Sequence, residues 1–281
     1  MHWAKAAFLG VVEGLTEYLP VSSTGHLILV PHLSEVAARH FPGLEIFAKS
    51  SPAEDAFDVV IQFGAILAVL VHYRTLLWER FSGLFSRKRE SFALLYALAL
   101  GFIPTAILGL LLHKKIKALL FGPLPVAAAL VVGGVVMIVV ERVRKAKKVE
   151  GLVGLEHVTP KRALLIGLGQ CVSMWPGSSR SMCTILTGQA VGLSTATAAE
   201  FSFLLGLPTL GAACVYEGLK SRHVLASGIG LPSFVVGLVV SFLVAWAVIA
   251  VFIKYLQENG LEPFGYYRIV LGGVVFLLMR G

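Results

Sequence analysis

Long apolar runs dominate this chain, and two short polar stretches interrupt them where no loop is expected. Residues 56–73, 92–112, 123–140, 196–217, 230–253 and 265–279 each read as a membrane span, since a helix crossing the hydrocarbon core needs ~20 apolar residues. Residues 31–55, 74–91, 113–122, 141–162 and 218–229 read as loops between them. Pro104 and Pro208 fall inside spans and predict kinks. Two further apolar arms, 1–18 and about 163–175, are too short to cross. Pro20 ends the first, and a return arm runs from near Gly25 to Pro31; Pro176-Gly177 ends the second, and its return arm runs from about 180 to 191. Half-length helices joined by a polar turn predict a re-entrant hairpin, with irregular backbone tolerated only where protein or a water-filled cavity surrounds it.

These elements give the expected fold class: an all-α polytopic membrane protein, a single membrane domain over 1–281. Each half, about 1–150 and about 151–281, holds one re-entrant helical hairpin plus three transmembrane helices. Three is odd, so the halves face opposite ways as two inverted-topology repeats. The polar stretches echo each other at an offset of 156, Pro20 on Pro176, Ser22 on Ser178, Ser23 on Ser179 and Thr24 on Arg180. A weaker echo joins Phe57 and Phe201, each near the start of a span. Inverted repeats with broken helices commonly place a site at the midplane. Loops 74–91 and 141–162 hold twelve Lys and Arg against seven in 31–55, 113–122 and 218–229, so the first set is expected on the cytoplasmic side. The first hairpin then enters from outside and the second from the cytoplasm.

Composition supports this reading. Of 281 residues 57% are apolar and 14% charged, against roughly 25% charged in soluble domains. The net charge of +8 follows from cytoplasmic loops, and nucleic acid is not an expected partner. Cys171, Cys183 and Cys214 lie in apolar segments with neither zinc-site nor redox-pair spacing. Residues 6–12 run straight into Glu13, so no cleavable signal peptide is expected.

The polar stretches carry the chemistry. Glu13 and Glu17 are four apart, on one helical face. Two carboxylates there could share a proton or hold a hard cation; Mg²⁺ favours one or two carboxylates plus substrate phosphate. The bland alternative is a pair of interfacial glutamates in water. Ser22, Ser23 and Thr24 could simply cap a helix, but His26 follows Ser23 within one turn, and histidine can activate serine. In Pro176-Gly177-Ser178-Ser179-Arg180-Ser181, Gly177 permits unusual backbone angles and the following helix start offers N–H donors to an anion. Arg180 adds a planar charged fork suited to phosphate; its bland alternative is snorkelling to the cytoplasmic edge. One stretch thus offers acid, base and nucleophile, the other positive charge and donors, the parts phosphoryl transfer needs.

Residues 13–27, Glu-Gly-Leu-Thr-Glu-Tyr-Leu-Pro-Val-Ser-Ser-Thr-Gly-His-Leu, with Pro-Gly-Ser-Ser-Arg-Ser at 176–181, closely resemble the undecaprenyl-diphosphate phosphatase family, the bacitracin-resistance type. The resemblance covers essentially the whole chain. It implies a bacterial inner-membrane enzyme that removes the terminal phosphate of undecaprenyl diphosphate, recycling the carrier for peptidoglycan and other envelope polymers. It further implies a divalent cation, Mg²⁺ or Ca²⁺, on Glu13 and Glu17, a site opening toward the periplasm, and homodimers among membrane lipids. By motif match Glu13, Glu17, Ser23, His26 and Arg180 take catalytic roles. Ser22, Thr24, Gly177, Ser178, Ser179 and Ser181 line the substrate site. One departure is visible: the family usually continues Ser-Arg-Ser with glycine, whereas this chain has Met182 and Cys183, which is expected to narrow the space beside Arg180.

Two mechanisms fit these residues. Ser23 attacks the terminal phosphorus while His26 manages protons, or a water activated by a glutamate or His26 attacks directly. A rival from another class is a transporter that flips the lipid carrier, since the same repeat architecture serves transporters; a weaker one is a scaffold for envelope assembly.

Overall fold

The computed structural model describes residues 1–39, 47 and 51–279. Among them every regular element is helical, apart from one isolated bridge between Leu152 and Leu193. The chain runs through α1 (Trp3–Thr16), α2 (Ser23–Ala38), α3 (Pro52–Val60), α4 (Gln62–His72), α5 (Arg74–Phe85), α6 (Arg89–Leu120) and α7 (Pro123–Ala146). It continues through α8 (Pro160–Gln170), α9 (Arg180–Ala190), α10 (Thr195–Lys220), α11 (Arg222–Gly228), α12 (Leu231–Glu258) and α13 (Glu262–Leu278).

Local chemistry sets the starts. Ser51 caps α3 in a capping box with Glu54, and Pro52 follows inside the first turn. Thr159 caps α8 ahead of Pro160, and Ser194 caps α10. Proline also opens α7, α12 and α13, where its missing N–H would be unpaired anyway.

Among the described residues five helical segments are long and apolar enough to cross a membrane by length and composition: Pro52–His72, Arg89–Leu112, Pro123–Ala146, Thr195–Lys220 and Leu231–Glu258. Their outer faces are bare hydrocarbon: Leu110 is 78% exposed and Val251 70%. A water-soluble monomer rarely shows contiguous apolar patches of that extent, and lipid satisfies them. The chain is a multi-pass helical membrane protein. The sixth expected span, 265–279, is α13; its 17 residues rise about 25 Å, short of the ~30 Å hydrocarbon core.

Several expected boundaries move. The return arm does not end at Pro31, which lies inside α2. The expected loop 74–91 contains α5, the loop 218–229 contains α11, and most of 113–122 continues α6 to Leu120. Helix forms outside the apolar runs in each case, because charged residues such as Arg and Lys are good helix formers. The span at 56–73 divides at Ile61 into α3 and α4. Much of the expected loop 31–55 lies outside the described residues.

Small residues let backbones touch, as membrane helices require in the absence of a hydrophobic drive between them. A Cβ on Gly10 would lie 2.7 Å from the Gly237 carbonyl, and one on Gly14 2.8 Å from that of Ser241, so α1 lies hard against α12. Gly134 and Gly265 do the same between α7 and α13, at 2.6 and 2.8 Å from each other's carbonyls. Between these pairs the main core gathers Tyr18, Phe201, Phe203, Met137 and Phe252.

Gly14→Ala is expected to destabilise the fold by about 1–3 kcal/mol through overpacking. Gly109→Ala, where a Cβ meets nothing within 4 Å, should be neutral or stabilise by about 0.5–1 kcal/mol. Thermal melts of the two variants in detergent check the difference; equal melting temperatures would remove the close-packing argument.

Candidate active site

The site is built from the ends of four helices. On α1 the 3.6-residue period stacks Glu13 under Glu17, and the Glu17 N–H donates to the Glu13 carbonyl at 2.9 Å, so helical geometry holds through position 17. Glu13 is 0% exposed and Glu17 5%, which excludes interfacial glutamates in water. Tyr18 donates to the Ala65 carbonyl of α4 at 2.9 Å, pinning the end of α1 to the core. Pro20 then removes a backbone donor, and the chain turns.

The turn closes on a strained residue. Ser22 has φ +74°, and its hydroxyl accepts from the Gly25 N–H at 3.2 Å as the N-cap of α2. The second polar stretch ends the same way. Four residues, Cys171–Met174, wind as a 3-10 turn after α8, and Trp175 donates through Nε1 to the Pro125 carbonyl at 3.1 Å. Gly177 takes φ +96°, and a Cβ there would lie 2.6 Å from the Val126 carbonyl. Ser179 then has φ +72° and caps α9, accepting from the Met182 N–H at 3.2 Å. Left-handed conformations for non-glycine residues cost about 1–3 kcal/mol each and cluster at functional sites. The shared role pairs Ser22 with Ser179 and Ser23 with Arg180, one position away from the register given by the two prolines. Capping geometry therefore decides the correspondence, and the proline only marks that a turn is near.

The two turns meet. Arg180 Nη2 donates to Glu17 Oε1 at 2.9 Å, with 8% and 4% of the two side chains exposed. Arg180 does not snorkel. Ser23 Oγ donates to the other Glu17 oxygen, Oε2, at 2.5 Å. Ser181 Oγ donates to the Leu19 carbonyl at 2.9 Å and lies 3.0 Å from Ser179 Oγ. A Cβ on Gly25 would sit 3.4 Å from Gly177 Cα. Ser178 is buried in the same turn, and Thr24 is half-buried at the second position of α2. One carboxylate thus joins a hydroxyl from the first turn to a guanidinium from the second.

His26 takes a different direction. Its Nδ1 lies 2.7 Å from the Ser22 carbonyl and its Nε2 2.7 Å from the Tyr267 hydroxyl of α13, whose ring stacks on the imidazole at 5.8 Å. A carbonyl only accepts, so Nδ1 carries a proton, and Nε2 shares a hydrogen bond with the Tyr267 hydroxyl. Ser23 is bonded to Glu17, not to His26.

Sequence reasoning missed four contributors. Ser202 on α10 accepts from Arg180 Nη1 through its carbonyl at 2.7 Å, and its hydroxyl accepts from Thr184 at 2.7 Å. Tyr267 meets His26, and Tyr18 offers its ring face to the Arg180 guanidinium at 5.6 Å. Arg268, wholly buried, donates to the carbonyls of Pro20, Ala129, Gly177 and Ser178. Arg268 was legible: it stands alone in an apolar run, the same signal that singled out Arg180. Met182 lies on the Arg268 side of α9, since a Cβ on Gly133 would contact both Met182 Sδ and Arg268 Nη2. It does not narrow the space beside Arg180, because positions 180 and 182 project to nearly opposite helix faces.

Glu13 is the residue whose chemistry is open. Neither carboxylate oxygen accepts a hydrogen bond from the described residues, and the carboxyls of Glu17 and Asp58 are its neighbours. A buried carboxylate without donors is costly, so Glu13 fits a proton or a cation. Among the described residues no group of three or more His, Cys, Asp or Glu could hold a metal ion alone. A cation here would draw further oxygens from a ligand, as Mg²⁺ does with substrate phosphate.

Fold and site together define a multi-pass helical membrane protein with a buried constellation of carboxylates, hydroxyls and a guanidinium at the junction of two turns. The chain belongs to the bacitracin resistance protein BacA family, whose model matches residues 6–274. It is 53% identical over 279 residues to an undecaprenyl-diphosphatase of Sorangium cellulosum, covering 99% of this chain and 87% of that protein. Undecaprenyl-diphosphatases of Maridesulfovibrio salexigens and Deinococcus deserti are 44% and 41% identical, covering 96% and 99% of this chain and 96% of each relative.

Removing one partner of a buried ion pair costs about 3–5 kcal/mol, while removing both costs less. Glu17→Leu and Arg180→Met should each lower unfolding free energy by about that much, and the double variant by clearly less than the sum. Denaturant unfolding in detergent checks this, and strict additivity would show the pair to be energetically uncoupled.

Proposed function

We infer that this chain hydrolyses undecaprenyl diphosphate to undecaprenyl phosphate and inorganic phosphate. It thereby returns the lipid carrier to peptidoglycan and envelope synthesis and confers resistance to bacitracin. The observation that carries this reading is the continuous contact Ser23–Glu17–Arg180. It brings a serine hydroxyl, a carboxylate and a guanidinium into one hydrogen-bonded unit, which supports reading them as nucleophile, base and anion holder.

The terminal phosphoryl group of the substrate lies against Arg180 and the N–H donors at the start of α9, which hold its oxygens and stabilise charge in transfer. Ser23 Oγ attacks the terminal phosphorus as its proton passes to Glu17 Oε2, already its acceptor. The P–O bond to undecaprenyl phosphate breaks. Water then attacks the phosphoserine, inorganic phosphate leaves, and the proton on Glu17 returns to Ser23 Oγ. His26, turned toward Tyr267, serves the leaving-group side. When bound, a divalent cation, Mg²⁺ or Ca²⁺, held by Glu13 with Glu17, would neutralise phosphate charge. Ser22, Thr24, Gly177, Ser178, Ser179 and Ser181 shape the wall around the phosphates.

The same reading extends to the architecture. The matched caps Ser22 and Ser179 support two inverted repeats, about 1–150 and 151–281, each one re-entrant hairpin plus three spans. Loop charge supports a plasma-membrane orientation with the site opening toward the periplasm. Homodimers are an expectation that light scattering of the purified protein checks. Nothing in the geometry favours a transporter.

The test is phosphate release from C55 diphosphate by purified protein in detergent, where no second compartment exists. Arg180→Ala should lower the rate by about 10³-fold or more, and Glu17→Gln by about 10²–10⁴-fold. A chelator should abolish activity, with recovery on adding Mg²⁺ or Ca²⁺. Full activity in Ser23→Ala beside a dead Arg180→Ala would replace the phosphoserine with direct attack by water. Full activity in both would end the site assignment.

A further inference from the structure

Arg268 lies on α13, far along the chain from both polar turns, and is 0% exposed. Its Nη1 donates to the Pro20 carbonyl at 3.0 Å, in the first turn. Its Nη2 donates to the carbonyls of Gly177 at 2.8 Å and Ser178 at 3.2 Å, in the second, and to Ala129 of α7 at 3.2 Å. Nε bonds nothing, and among the described residues no carboxylate pairs with the guanidinium. A buried ion pair would have used one carboxylate. Among the described residues this cation is solvated only by main-chain carbonyls, three of which belong to the two polar turns and the fourth, that of Ala129, to α7.

We propose that Arg268 is a positioning residue, which fixes the distance between the Ser23 turn and the Arg180 turn by bonding the backbone of both. The proposal rests on the phosphatase reading and goes beyond it. Arg268 touches no reacting atom there; it acts through Pro20, Gly177 and Ser178. The geometry demands a planar fork. Two nitrogens of one rigid group must reach two separate turns at once, which guanidinium does and an ammonium, a single point of charge, does not. Space for the fork is prepared. A Cβ on Gly133 of α7 would crowd Nη2, so glycine there leaves the fork its room. The catalytic unit needs this brace, because Ser23 and the α9 donors come from segments separated by more than 150 positions. A shift of about 1 Å between such groups can cost ~10²-fold in rate.

The experiment uses the full chain in detergent, with Arg268→Lys and Gly133→Ala beside wild type. Gly133→Ala keeps the arginine but pushes its fork out of place, and stands in if Arg268→Lys fails to fold. Two readouts are taken on the monodisperse fraction. Backbone hydrogen exchange is followed over residues 17–25 and 176–183. Phosphate release from C55 diphosphate is resolved into kcat and KM.

The expected result is faster exchange in both turns together, by at least ~10-fold, with kcat lowered ~10²-fold and KM within about threefold of wild type. Unchanged exchange in either turn would overturn the proposal, as would a full kcat with both turns loosened. A rise in KM alone would do so too, since Arg268 would then act on binding. If wild type itself releases no phosphate, the substrate reading fails, while the exchange result still decides whether Arg268 braces the turns.

Discussion

Glu17 is the point on which the site turns. It accepts from Ser23 with one oxygen and from Arg180 with the other, and it does so with almost no exposure to solvent. At membrane depth an unpaired carboxylate or guanidinium is expensive, so each group constrains the other. The pair forces two segments from opposite halves of the chain into contact. Once they touch, the Ser23 hydroxyl and the Arg180 guanidinium share one carboxylate. A buried pair of this kind is weak evidence for stability in itself. Its value lies in fixing which groups meet.

The remaining architecture makes that meeting possible. Helix α1 must lie flush against α12 to bring Glu13 and Glu17 inward, and Gly10, Gly14 and Gly237 permit it. Helix α7 must lie flush against α13 to bring Arg268 under the turns, and Gly133, Gly134 and Gly265 permit that. Both turns then require a left-handed serine. The strain is tolerated because the following helix start rewards it with a cap, and because neighbouring carbonyls are bound by Arg268 and Ser181. Packing, turn and charge are thus one problem solved together.

Much of this was legible beforehand, for identifiable reasons. Burial of Glu13, Glu17 and Arg180 followed from their apolar flanks, and Pro20 and Pro176 marked the two breaks. The register between the stretches did not follow, because proline announces a turn without saying which residue will cap the next helix. The helices within 74–91 and 218–229 were hidden by charge, which argues against membrane burial but not against helix. The direction of the His26 ring did not follow from spacing alone. Sequence places it one turn from Ser23, whereas the carbonyl of Ser22 and the hydroxyl of Tyr267 hold its ring elsewhere. Tyr267 sits more than two hundred positions away, and no local pattern points to it.

Met182 shows how such a site absorbs change. Its backbone N–H serves the Ser179 cap, a bond any residue but proline can make, so side-chain identity is free as far as the turn is concerned. Its side chain points to α7, where Gly133 leaves room. The bulk added at 182 is therefore taken up on the Arg268 side, away from the Glu17–Arg180 contact. A glycine at 182 would leave that space to be filled from elsewhere and would add backbone freedom to the first turn of α9. Methionine, unbranched and adaptable, fills an irregular gap at little strain and packs beside the guanidinium that holds both turns. The departure thus touches the surroundings of Arg268, and the Ser23–Glu17–Arg180 contact keeps its place.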